Sequence, residues 1–239
     1  MKKTFLNSVL TTLLFTSITL FSSCKKEETP DTIPTQDEAV DIVTNALDTD
    51  VAGQTSDFEQ TAKTSATYAS NPYCNFSKDS VITKSFTGTN LSYNYQFNWN
   101  WAVVCTQGIP NTINFNLTTN GKYETLRIKS DDNSTTNIAV TNLLTGSNYV
   151  ANGSTIRNGT QTSKVRNMSQ FTSKLEITYS NININKISPY RIQSGSASFN
   201  LTGKTINGTN YAYSGTITFL GSQSAKLTFA NGSSFTIQL

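Results

Sequence analysis

Between residues 91 and 105 the large apolar side chains Leu91, Tyr93, Tyr95, Phe97, Trp99, Trp101, Val103 and Cys105 are all odd-numbered, with mostly polar residues between them. A period of two places one set of side chains on each face of a β-strand, one buried and one wet. At about 3.4 Å per residue this segment would run roughly 50 Å, more than twice the usual strand. No glycine or proline interrupts it, so the strand must curve or bulge.

The turns follow from the same parity, because paired strands must present their apolar residues to one face. At Asn231-Gly232 a two-residue turn would split the apolar sets, whereas a three-residue loop pairs Leu227 with Phe235 and Ala225 with Ile237. Gly232 then takes the left-handed bulge position. The same rule at Asn207-Gly208 pairs Leu201 with Tyr213 and Ala197 with Ile217, and at Asn120-Gly121 it pairs Leu117 with Tyr123. Further alternating segments lie at 172–179, 190–202, 209–220, 223–230 and 233–239, and the phase shifts at Ser180-Asn181 so that Ile182 and Ile184 continue inward. Ahead of them, Thr35-x-x-Glu38 and Ser56-x-x-Glu59 are capping-box patterns that predict helices over about 36–48 and from 56 to just before Asn71-Pro72. The expected fold is therefore mainly β. It is a strongly curved antiparallel meander or barrel-like sheet of about ten strands, with one or two short N-terminal helices packed on it.

Composition limits the chemistry. The chain has no histidine among 239 residues, which removes the commonest neutral-pH base and the commonest metal ligand together. Carboxylate catalysis needs two acids around a substrate, one in an apolar pocket. Only Asp79, Glu124, Asp131, Asp132 and Glu176 follow residue 60, and alternation sends Glu124 and Glu176 to the wet face. Asp131-Asp132-Asn133-Ser134 reads as a turn rather than a calcium site. No catalytic residue, metal or cofactor is expected. Arg157, Lys164, Arg166 and Lys174 form an acid-free basic stretch, but they are spread over a hairpin and loops, and no nucleic-acid partner is expected. Cys74 and Cys105 are expected to form a disulfide. The stripe Tyr93, Tyr95, Trp99 and Trp101 offers two readings: a core, or an aromatic surface for a sugar or lipid. A lipid-facing barrel is a third way to use such alternation.

The first 35 residues give an address. Lys2 and Lys3 precede an uncharged, largely apolar stretch to Ser23, the pattern of a removable signal peptide over 1–23. Leu20-Phe21-Ser22-Ser23-Cys24 resembles a bacterial lipobox, which implies a diacylated Cys24 at the mature N-terminus. Lys25, Lys26, Glu27 and Glu28 then resemble the export signal of surface-exposed lipoproteins of Bacteroidota. Residues 24–35, with Pro30 and Pro34, read as an extended tether; 36–70 form the helical segment and 71–239 the β domain. As a whole the layout is similar to uncharacterised surface lipoproteins of that group, a resemblance that implies an outer-membrane, lipid-anchored, cell-surface location and no particular activity.

The expected function is a non-enzymatic envelope module that binds a lipid, glycan or protein, or structures the surface, with the membrane engaged through the N-terminal lipid. The alternatives are a lipid carrier resembling the half-barrel lipoprotein-sorting proteins, and an envelope hydrolase. The state of the hollow separates them: filled, open and apolar, or open with two facing acids.

Overall fold

The computed structural model describes residues 32–239 apart from 167. The signal peptide, Cys24, Lys25, Lys26, Glu27 and Glu28 lie outside the described residues. Thr35 caps the first helix as its sequence requires: its hydroxyl accepts from the Glu38 N–H, and the Glu38 carboxylate accepts from the Thr35 N–H. Helix α1 (Gln36–Leu47) buries Ala39, Ile42, Val43, Ala46 and Leu47 along one face. A 3₁₀ turn over Thr49–Val51 follows.

Helix α2 (Gln54–Tyr68) starts earlier than expected, at Gly53, with no side-chain cap. A β-carbon on Gly53 would stand 2.7 Å from the Asp48 carbonyl oxygen and 2.8 Å from that of Ala46, so only glycine permits this tight entry. The Ser56 box is unused; its hydroxyl instead accepts from the Lys84 ammonium at 2.6 Å.

Ten antiparallel strands form one sheet in chain order: β1 (Ser77–Thr87), β2 (Leu91–Thr106), β3 (Ile109–Thr125), β4 (Ile128–Thr141), β5 (Asn148–Ser163), β6 (Gln170–Asn185), β7 (Ile192–Thr205), β8 (Asn210–Gly221), β9 (Ser224–Phe229) and β10 (Ser234–Gln238). The pairings Leu227 with Phe235 and Leu201 with Tyr213 are those parity requires, and Gly232 and Gly208 have positive φ. The phase shift at Ser180-Asn181 is a bulge in β6 that turns Ile182 and Ile184 inward.

Asn120-Gly121 is no turn. Gly121 lies inside β3, opposite Tyr95 and Asp132, and Leu117 pairs with Trp99 and Thr136 rather than Tyr123. Asp131 to Ser134 likewise sit within β4, so that turn is absent too. The reason for Gly121 is steric. One transverse row across seven strands reads Tyr95, Gly121, Asp132, Gly159, Ser173, Gly203, Tyr211. A β-carbon would meet the Tyr95 ring 2.3 Å from Gly121 and the Tyr211 hydroxyl oxygen 2.4 Å from Gly203. The row is a crease: glycines on alternate strands let the backbone bend, and a tyrosine at each end covers the bare neighbour.

The sheet curls without closing into a barrel; β1 and β10 remain edges. The helices occupy the space closure would need. Helix α2 packs on β4, β6 and β7 and α1 on β10, while Lys84 of β1 reaches Ser56 of α2. The odd-numbered face of β2 turns toward this interior, with Tyr95, Phe97, Trp99, Trp101 and Val103 all buried. The lipid-facing barrel reading therefore does not hold.

Strand β2 does bulge, at Val104/Cys105. There Cys105 is disulfide-bonded to Cys74, 31 positions away in sequence, with Cα atoms 5.6 Å apart. This staple ties the segment before β1 to the far end of β2. Replacing both cysteines with alanine should lower the unfolding free energy by about 3 kcal/mol, read as a fall in the urea midpoint; an unchanged midpoint would contradict the staple.

Candidate functional site

The first turn of α2 points into the hollow and meets polar side chains that the sheet's alternation turns inward. Gln54 Oε1 accepts from the hydroxyls of Thr155 (2.8 Å) and Thr136 (3.3 Å), and its Nε2 donates to Asp57 at 3.0 Å. Asp57 is buried; loss of solvent pushes its pKa up to about 7 against the pull of Lys84 and Arg157.

Beside it, Arg157 of β5 donates to Asp132 at 2.7 Å and to the Tyr95 hydroxyl at 2.6 Å. The Tyr95 hydroxyl donates in turn to Asp132 at 3.0 Å, and Ser130 donates to the same carboxylate at 2.8 Å. The guanidinium also lies 5.3 Å from the Tyr123 ring centre. Burial opposes the charge on Arg157, yet Asp132 outweighs it and holds the guanidinium pKa above its ordinary value. Burial raises the Tyr95 phenol pKa as well. An ion pair bonded on this many sides is fixed in one geometry.

The void between these groups and the start of α2 measures about 20 Å³, room for a single water. Asp57 and Asp132 are thus two buried acids without space for a substrate between them. The other carboxylates of the β region lie outside: Glu124 pairs with Lys164, Asp131 with Lys122 and Glu176 with Lys174, and Asp79 accepts from Asn100. Among the described residues no group of histidine, cysteine, aspartate and glutamate has the makings of a metal site.

The aromatic stripe is core. Tyr95, Trp99 and Trp101 are 4%, 3% and 6% exposed, with Trp99 edge-on to Phe115 and Trp101 beside Tyr68, so none presents a ring face to a ligand. Tyr93 is half-buried against Phe86. The reason is the curl itself, which turns the odd face of β2 into a hollow that the helical segment fills.

The basic stretch dissolves equally. Arg157 pairs with Asp132, Lys164 with Glu124, Arg166 with Glu38 and Lys174 with Glu176. Burial would raise the Glu38 pKa, but bonds from Ser163, Arg166 and the Thr35 N–H outweigh it, and the net shift is downward.

What remains open to large ligands is the outer face. A groove of about 920 Å³ runs over the back of the crease, lined by Lys122, Lys129, Asn133, Asn158, Lys174 and Lys204 among other polar residues. Sequence reasoning missed both this groove and the buried network. Parity held the clue to the network, since Asp132 is in phase with the inward Ile128, Ile138 and Val140. Among the described residues no helix is long and apolar enough to cross a membrane. Neither family models nor curated proteins nor solved structures match this chain.

Proposed function

We propose that this chain is a non-enzymatic, lipid-anchored module of the outer membrane, held by acylated Cys24 and exposed at the cell surface, which presents the outer face of its sheet to a glycan or protein. The observation that carries this reading is the filled hollow: α1 and α2 occupy the interior, the void beneath α2 holds about 20 Å³, and the roomy groove is polar and external. A carrier needs an unfilled apolar cavity, and a carboxylate hydrolase needs a cleft between its acids. Amide, hydroxyl and ammonium groups in an open groove suit a polyhydroxylated ligand, which takes and gives many hydrogen bonds. The test is purification from membranes followed by mass spectrometry of the intact chain. The expected species begins at a diacylated Cys24 and carries no stoichiometric extractable lipid. An N-terminus at an unmodified residue would overturn the anchor, and one lipid retained per chain would favour the carrier.

A further inference from the structure

The meander sends alternate hairpin tips to opposite rims, and the chain enters the domain at only one of them. Thr32, the first described residue, accepts from Arg166 at 3.0 Å, and Arg166 lies in the connection between β5 and β6. Pro34 accepts from the Tyr213 hydroxyl at 2.6 Å. The neighbouring tips are stitched together: Lys164 N–H donates to the Arg127 carbonyl at 2.8 Å, and Ile206 N–H to that of Gln170 at 3.2 Å.

Three neighbouring tips on this rim, those joining β3 to β4, β5 to β6 and β7 to β8, carry bare apolar side chains. Leu126 is 62% exposed, Val165 48%, Met168 52% and Ile206 56%, and Ile33 on the entering segment ahead of α1 is 45% exposed. Exposed Lys129, Lys164 and Lys204 flank them, and neither Lys129 nor Lys204 has a carboxylate within ion-pair distance among the described residues. An apolar fringe set among ammonium groups matches the interface of an anionic bilayer, acyl chains below and phosphates at the level of the cations.

We infer that this rim rests on the lipid leaflet that holds the anchor, with Leu126, Val165 and Ile206 dipping into the interface. The inference rests on the proposed anchor. From Cys24 to Thr32 the chain spans eight residues. Fully extended they reach about 28 Å, whereas the 17 residues of β3 run roughly 55 Å from rim to rim. The far rim is also apolar, with Leu144 57% and Ile187 72% exposed, but the tether holds the near rim close to the bilayer and the far one away. The arrangement fixes the outer groove's height and direction above the membrane.

The experiment uses the full acylated chain, reconstituted in vesicles of phosphatidylethanolamine with phosphatidylglycerol. Nitroxides are placed singly at Leu126→Cys, Ile206→Cys, Leu144→Cys and Ile187→Cys, all exposed positions where folding is not at stake. The near-rim labels should lose collisions with a water-soluble nickel chelate by about threefold or more on reconstitution, and the far-rim labels should not. Adding Leu126→Glu to the Ile206→Cys chain should restore access. Protein that floats with the vesicles while all four labels stay equally accessible overturns the inference and leaves the anchor standing. Protein that fails to float removes the anchor and the inference with it. Protection of the near rim in dilute detergent without vesicles would assign the fringe to a second copy of the chain, and would also overturn the inference.

Discussion

Gly203→Ala should destabilise the protein by about 4 kcal/mol or more, far beyond the usual cost of one added methyl group. The new β-carbon would lie 1.9 Å from the Thr172 carbonyl oxygen and 2.4 Å from the Tyr211 hydroxyl oxygen. Thr172 is paired on both sides, with Thr160 and Lys204, so its carbonyl cannot rotate away, and the Tyr211 hydroxyl already donates to that same carbonyl at 2.7 Å. Relief requires β6 and β7 to separate or the crease to flatten, and either movement disturbs the packing beneath it. Gly88→Ala is the matched control. Its β-carbon would come closest, at 2.9 Å, to the ring of Phe86, which is 50% exposed and able to give way, and would stand 3.3 Å from the Leu91 carbonyl oxygen. Urea unfolding of the two variants should give a large loss at 203 and a small one at 88; similar small losses would mean that the crease does not need its glycines.

Stability should also fall as pH rises from about 4 to 7, and Asp57 should be a main cause. Its pKa is about 7 in the fold, against the ordinary 3.8. Between those values the folded chain holds a proton that the unfolded chain has released, so each pH unit favours unfolding by up to about 1.4 kcal/mol. The contribution is complete below the ordinary value, gone above the folded one, and totals roughly 4 kcal/mol. Asn at position 57 keeps an acceptor for the Gln54 amide while removing the titration. Asp57→Asn should therefore match the wild type near pH 4 and exceed it near pH 8. Parallel stability curves for the two proteins would place the titrating group elsewhere.

The parts of the fold that read directly from sequence are those governed by one local rule. The Thr35 capping box needs only residues three apart, and it fixes the start of α1. The loops at Asn207-Gly208 and Asn231-Gly232 needed only the phase of the apolar residues on either side. The same dipeptide at Asn120-Gly121 misled because glycine has two uses, positive φ and absence of a side chain, and only the second applies there. The ring that demands it belongs to Tyr95, on another strand. Ser56 misled similarly, since the helix start was decided by the carbonyls of Ala46 and Asp48 crowding Gly53.

The buried network was illegible for a related reason. Gln54, Asp57, Asp132 and Arg157 sit on three elements, and none is unusual in its own segment. Only the register of the sheet brings Arg157 beside Ser134, one strand over and two residues along from Asp132. The aromatic stripe was legible as a strand face, with core as one of its two readings, and the side that the helices take decides for the core.

An unsealed sheet has two lateral borders whose amides and carbonyls are vacant on one side, an invitation for a neighbouring molecule to zip on and for fibrils to seed. Here the borders are unequal. The β10 border is only five residues long, with α1 against it, whereas that of β1 is eleven residues long and carries Lys78, Asp79 and Lys84. Brevity guards one flank and charge the other, and both blunt the edge-to-edge pairing of one copy of the chain with the next.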